Sequence, residues 1–204
     1  MTRQLSDCVS NVIVVRHGET EWTLSGRHTG LTDIPLTDAG RAAARRLAPL
    51  AAKSTFAAVF TSPLRRARET CELAGLGGQA EVERHLLEWN YGEYEGLTSV
   101  QIGARRPGWL VFEDGCPGGE TPAQVAARAD HVIARICAID GDVAMFAHGH
   151  LLRVFIARWL GLSPTAGSQF LLDPATVSVL THHRGLRAIR GWNAPLMLGA
   201  ETEA

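Results

Sequence analysis

The stretch Val12-Ile13-Val14-Val15-Arg16-His17-Gly18-Glu19-Thr20 decides how the rest of the chain is read. Its first four residues are β-branched and uniformly apolar, without the polar alternation of a half-solvated strand. Such a run predicts a strand buried on both faces, as in a parallel or mixed sheet. Polar chemistry begins where the run ends. Val143-Ala144-Met145-Phe146-Ala147 repeats the design just before His148-Gly149-His150, and Ala58-Val59-Phe60-Thr61 repeats it before Ser62-Pro63-Leu64-Arg65-Arg66. Three buried strands therefore each deliver His or Arg at or just beyond their C-terminal ends.

Outward from these strands the apolar period changes to that of helices. Thr37 is a candidate N-cap for a helix reaching to about residue 52, with Ala44, Leu47 and Ala51 at helical spacing. A second helix is expected after Pro63, stopping near Gly75. The clearest helix is expected over 121–139, where Val125, Ala129, Val132, Ile133 and Ile136 form one apolar stripe. A buried helix is expected over 151–160, and the strand patterns over 177–182 and 186–192 meet across His183-Arg184-Gly185 as a hairpin. Strands alternating with helices predict an α/β sandwich, whose ligands gather at the carboxyl ends of the strands. The Gly- and Pro-rich segment over 88–120 is irregular and reads as a lid-like insertion within one domain spanning 1–204.

Composition narrows the partners. With Lys+Arg 20 against Asp+Glu 21 the formal net charge is -1, so no global field attracts nucleic acid or an anionic membrane. An anion must be caught locally. Cys8, Cys71, Cys116 and Cys137 are scattered without a C-x-x-C pair, which favours reduced thiols. Neither a signal-peptide pattern nor a membrane-length apolar run occurs, so cytoplasmic residence is expected.

Arg16 beside His17 combines positive charge with a nucleophile that is neutral when it attacks, the pair that a dianionic phosphate monoester requires. Arg66 offers a bidentate contact to phosphate oxygens, and a protonated His148 offers charge to the equatorial ones. Glu88, set among Leu86, Leu87 and Trp89, is the candidate acid for the leaving alkoxide, with Glu93, Glu95 and Glu120 as alternatives.

Four stretches in order, Arg16-His17-Gly18-Glu19-Thr20, Ser62-Pro63-Leu64-Arg65-Arg66-Ala67, Glu88-Trp89-Asn90-Tyr91-Gly92 and Ala147-His148-Gly149-His150, resemble the signatures of the histidine phosphatase superfamily, phosphoglycerate mutase-like branch. The pattern is similar to its sedoheptulose-bisphosphatase and mycobacterial acid-phosphatase types. The resemblance implies a three-layer α/β/α sandwich around a mostly parallel sheet. It implies His17 as the phosphorylated nucleophile, Arg16, Arg66 and His148 around the phosphate, Glu88 as proton donor, and no metal or other cofactor. It also places Arg27, His28, Thr29, Gly30, Tyr91, Gly149 and Arg153 against a small phosphorylated substrate. Thr23 stands where the mutases usually carry Asn.

The expected activity is hydrolysis of a small phosphorylated metabolite, a sugar phosphate or bisphosphate. Mutase-type phosphoryl transfer and a non-catalytic phosphate-binding module are the competing readings. A zinc site at His148-x-His150 is disfavoured by the neighbouring arginines. A homodimer through exposed edges of the C-terminal hairpin is a further expectation.

Overall fold

The computed structural model describes residues 11–196. One sheet organises them. Its six strands are β1 (Asn11–Arg16), β2 (Ala58–Thr61), β3 (Ala80–Val82), β4 (Val143–Ala147), β5 (Val177–His183) and β6 (Leu186–Ala194), in the order β3-β2-β4-β1-β5-β6. β1 runs parallel to β4, and β2 runs parallel to β4 and β3. β5 pairs antiparallel with β1 and with β6. The three strands read from the sequence are thus neighbours, with Arg16 opposite Ala147 and Thr61 opposite Phe146. Their C-terminal ends share one edge.

The continuous apolar runs are explained by what lies on each face. Val12, Val14, Val143 and Met145 enter one core cluster, whereas Ile13, Val15, Ala144 and Phe146 enter the other. Helices α7 (Pro122–Ile136) and α8 (Gly149–Trp159) supply the first cluster, and all five residues of the anticipated α7 stripe are buried. Helix α3 (Pro49–Lys53) and helix α4 (Arg65–Leu73) lie at the second, and helix α2 (Asp38–Arg45) packs against α4. This is the α/β sandwich with a mostly parallel sheet.

Several boundaries differ from expectation. The helix after Thr37 is two pieces, because Pro49 has no N–H to continue the ladder and starts a new helix. α7 ends at Ile136 rather than at residue 139. β3 has no counterpart among the expected strands, because three residues carry no readable period. The hairpin closes with positive φ at Arg184 (51°) and Gly185 (75°).

The segment over 88–120 contains two helices, α5 (Ser99–Arg105) and α6 (Val111–Asp114). Trp89, Tyr91, Tyr94, Ile102, Trp109 and Phe112 from it belong to the first core cluster. The short helix α1 (Glu21–Leu24) follows the His17 loop and is closed by a reciprocal capping pair, Thr20 with Thr23. Trp159 is core, and Trp192 is half-buried against the same cluster. Cys71 and Cys116 are buried thiols, each pushed up to about 12 by burial, while Cys8 lies outside the described residues. No helix among the described residues is long and apolar enough to cross a membrane.

Candidate active site

The strand ends come together as their register requires. The His17 amide donates to the Ala147 carbonyl at 2.9 Å, and the Ser62 amide donates to Phe146 at 3.0 Å, so His17, Ser62 and His148 leave the sheet side by side. The rings of His17 and His148 have centroids 5.2 Å apart. Beside them lies a cavity of about 290 Å³ whose lining includes Arg16, His17, Arg27, His28, Thr29, Glu88, Tyr91, Gly149 and Arg153. Of the twelve residues anticipated from the sequence, those nine face the cavity.

His17 is 3% exposed, and its Nδ1 sits 2.7 Å from the Gly18 carbonyl oxygen. A carbonyl only accepts, so Nδ1 carries the hydrogen and Nε2 of the neutral ring keeps its lone pair. Burial, followed by the charges of Arg66 and Arg16, holds the imidazole well below the usual histidine range. The imidazole is buried and neutral, with its lone pair on Nε2. Arg16 donates through Nη1 to the Leu172 carbonyl, and its buried Nε has no hydrogen-bond partner among the described residues. An unpaired buried guanidinium N–H is costly unless something outside the protein accepts it. A Cβ at Gly149 would stand 3.3 Å from that Nε, so the glycine leaves room for the guanidinium.

Arg66 and His148 are brought next to the cavity but do not line it. Arg66 is 0% exposed and donates through Nη1 to Thr32, through Nη2 to Thr29 and Gly30, and through Nε to His148 Nδ1 at 3.1 Å. The bidentate fork anticipated for phosphate is committed to backbone carbonyls. His148 therefore accepts at Nδ1 and donates from Nε2 to Ser62 Oγ at 2.7 Å. The anticipated protonated imidazole is corrected: burial first, then Arg66, His17 and Arg16, keep His148 well below the usual range and neutral.

Gly30 also lies behind the wall. Its amide donates to the Glu95 carboxylate at 2.9 Å, and a Cβ there would stand 2.6 Å from the Trp89 carbonyl oxygen. With Asp33 Oδ1 accepting from the Arg65 amide at 2.7 Å, this pins the loop that carries Arg27, His28 and Thr29.

Glu88 Oε1 accepts from the amides of Trp89 (2.9 Å) and Leu151 (2.8 Å), and Oε2 accepts from His150 N (3.0 Å), at the start of α8. Arg128 of α7 braces this turn. Its Nη1 donates to the His85 and Leu87 carbonyls at 2.8 Å, and its guanidinium pairs with Glu120, which in turn accepts from the Asn90 amide.

The wall opposite is imidazole and phenol. Tyr91 Oη lies 2.5 Å from His150 Nδ1, and His28 Nε2 lies 3.3 Å from Ser99 Oγ. The rings of His28 and His150 stack at 5.6 Å, and Trp109 meets His28 edge-on at 5.5 Å. Burial takes His28 down to about 4 and holds His150 well below its ordinary value, while it holds the Tyr91 proton well above. Arg27 and Arg153 bring charge to this neutral wall, Arg153 resting over the Phe112 ring. His150, Ser99 and Leu172 also line the cavity and were missing from the anticipated set. His150 stood in a quoted motif, whereas nothing in the sequence distinguishes Ser99 or Leu172. Trp22 and Thr23 also reach the cavity.

Known proteins resemble this chain in sequence and fold. An acid phosphatase of Mycobacterium tuberculosis is 41% identical over 182 residues, covering 87% of this chain and 89% of that protein. The sedoheptulose 1,7-bisphosphatase of Saccharomyces cerevisiae is 37% identical over 183 residues, covering 74% and 67% respectively. The solved structure of an open reading frame from Mycobacterium tuberculosis superposes with a TM-score of 0.85 at 39% identity, covering 91% of this chain and 98% of that one. The family described as histidine phosphatase superfamily, branch 1, matches residues 12–195, and the chain belongs to it.

Proposed function

We propose that the protein is a phosphatase that hydrolyses a small phosphorylated metabolite through a phosphohistidine on His17. The observation that carries the reading is the presence at one cavity of a neutral His17, whose Nε2 keeps its lone pair, and of Arg16, whose Nε lacks a partner among the described residues. The phosphate seats its oxygens on Arg16, and His17 Nε2 attacks phosphorus. The N–P bond forms as the P–O bond to the alkoxide breaks, and Glu88, as general acid, gives the leaving oxygen its proton. Water then attacks the phosphohistidine, Glu88 takes its proton, the N–P bond breaks, and orthophosphate leaves. Arg66 and His148 act as positioning residues behind this chemistry.

The substrate class follows from the rest of the lining. Neutral hydrogen-bonding groups on His28, Tyr91, Ser99 and His150 suit sugar hydroxyls, and Arg27 suits a second anionic group, with Arg153 adding charge while its Nε and Nη2 donate to the Gly167 and Ser168 carbonyls. A sugar phosphate or bisphosphate meets both demands. The test is hydrolysis of an aryl phosphate and of a panel of sugar mono- and bisphosphates at mildly acidic pH, read as released phosphate. Turnover by wild type and none by His17→Ala is the expected result. Equal rates for both proteins, or isomerised phosphoglycerate without phosphate release, would defeat the hydrolytic reading.

A further inference from the structure

Outside the cavity, Glu83, His85 and His131 gather where the turn after β3 meets α7. One donor atom from each lies within 4.8 Å of the other two. None of the three lines the cavity around His17. Glu83 Oε1 sits 2.7 Å from His85 Nδ1, and the rings of His85 and His131 stack with centroids 4.0 Å apart at 27°.

The surrounding contacts hold this cluster in place. Arg128, His131 and Arg135 follow one another at spacings of three and four residues, so they share one face of α7. Arg128 grips the carbonyls of His85 and Leu87, while Arg135 pairs with Glu81 at 2.6 Å and with Glu83 Oε2. His131 stands between the two anchors. Arg135 takes Oε2, and Oε1 faces the imidazoles while also accepting from the His85 amide at 2.9 Å. Glu83 is buried, His85 is half-buried and His131 is exposed, so an ion has a route in from solvent.

We infer that Glu83, His85 and His131 form a binding site for a divalent transition-metal ion of the Zn²⁺ type, joining the turn after β3 to α7. Two imidazoles and one carboxylate are the donor set of a three-ligand zinc centre with a fourth position open to water. Such ligands sit about 2.0–2.2 Å from the metal, so tetrahedral donors are roughly 3.5 Å apart. Rotation about the exposed His131 side chain brings its donor nitrogen to that spacing, and the 2.7 Å pair of Glu83 Oε1 and His85 Nδ1 opens to admit the ion. The ion replaces the proton between Glu83 Oε1 and His85 Nδ1. Nitrogen donors favour zinc, nickel or copper over magnesium and calcium. The active-site chemistry proposed above uses no residue of this cluster.

The test uses untagged full-length protein, freed of metal with a chelator and dialysed. Calorimetric titration with Zn²⁺ is expected to show one equivalent bound, weakened about tenfold or more by His131→Ala and again by His85→Ala. Melting temperature is expected to rise by about 5–10 °C at a hundredfold excess over the dissociation constant, an effect lost in His131→Ala. Co²⁺ in place of Zn²⁺ is expected to give visible absorption bands of a tetrahedral site in wild type alone. Turnover of aryl phosphate by metal-free His131→Ala is expected to match wild type, which separates this site from the phosphatase reading. No zinc bound by wild type, binding unchanged in both variants, or equal binding of Mg²⁺ would each overturn the inference.

Discussion

Arg66 Nε donates to His148 Nδ1 at 3.1 Å, and this one contact decides which nitrogen of His148 bears the hydrogen. The ring then passes its Nε2–H to Ser62 Oγ, while the rest of the guanidinium holds the carbonyls of Thr29, Gly30 and Thr32. Arg66→Lys places one ammonium where four acceptors were served. A stability loss of about 3 kcal/mol is expected, seen as a fall in Tm of about 6–12 °C. KM is expected to rise more than kcat falls, because the loop bearing Arg27 and His28 loses its anchor. Steady-state kinetics with a sugar phosphate, alongside thermal melting, check both.

Glu88→Gln keeps shape but cannot deliver a proton. Hydrolysis of alkyl phosphates is expected to slow by about 10²–10⁴, with little change for an activated aryl phosphate whose leaving group needs no acid. Equal slowing with the two kinds of ester would remove Glu88 from that role.

The pH dependence of stability follows from the cavity imidazoles. His28 is held at about 4 in the fold by burial, below its ordinary value of 6.5. Between those values the unfolded chain binds the proton and the fold does not, so stability falls as pH drops through that window. The share from His28 is about 3 kcal/mol by order of magnitude. Chemical denaturation from pH 7 to 4 is expected to show that loss, and His28→Asn to make it shallower.

For catalysis the same direction holds. Burial and the nearby arginines keep His17 neutral well below the usual histidine range. The acid limb that the nucleophile sets on kcat/KM is expected below pH 6.5, measured with an aryl phosphate whose own ionisation is accounted for.

Tyr91 and His150 form a polar pair in the cavity wall. Tyr91→Phe removes one hydrogen bond, worth about 1 kcal/mol, so KM for a sugar phosphate is expected to rise about fivefold. Turnover of an aryl phosphate, which has no hydroxyls to place, is expected to stay within about twofold of wild type. A matched loss on both substrates would show that the pair shapes the catalytic centre itself.

The three buried strands, the apolar stripe of α7 and the residues at the strand ends were all readable, because burial on two faces or one stripe leaves a local period. The break at Pro49 was readable in principle, as proline removes an N–H wherever it falls, but the helical spacing across it hid the stop. β3 and the wall residue Ser99 were not, since three residues have no period and a lone exposed serine has no signature.

By itself the sequence determined that Arg16, Arg66, His17 and His148 converge at one sheet edge, because parallel strands all end on the same side. Only the tertiary structure decided what each does there. Arg16 lines the cavity and keeps an Nε without a partner among the described residues, whereas Arg66 faces a loop whose three carbonyls come from residues more than thirty positions away. An arginine's charge is written in its side chain. Whether that charge is free for a ligand depends on which acceptors the rest of the fold packs against it.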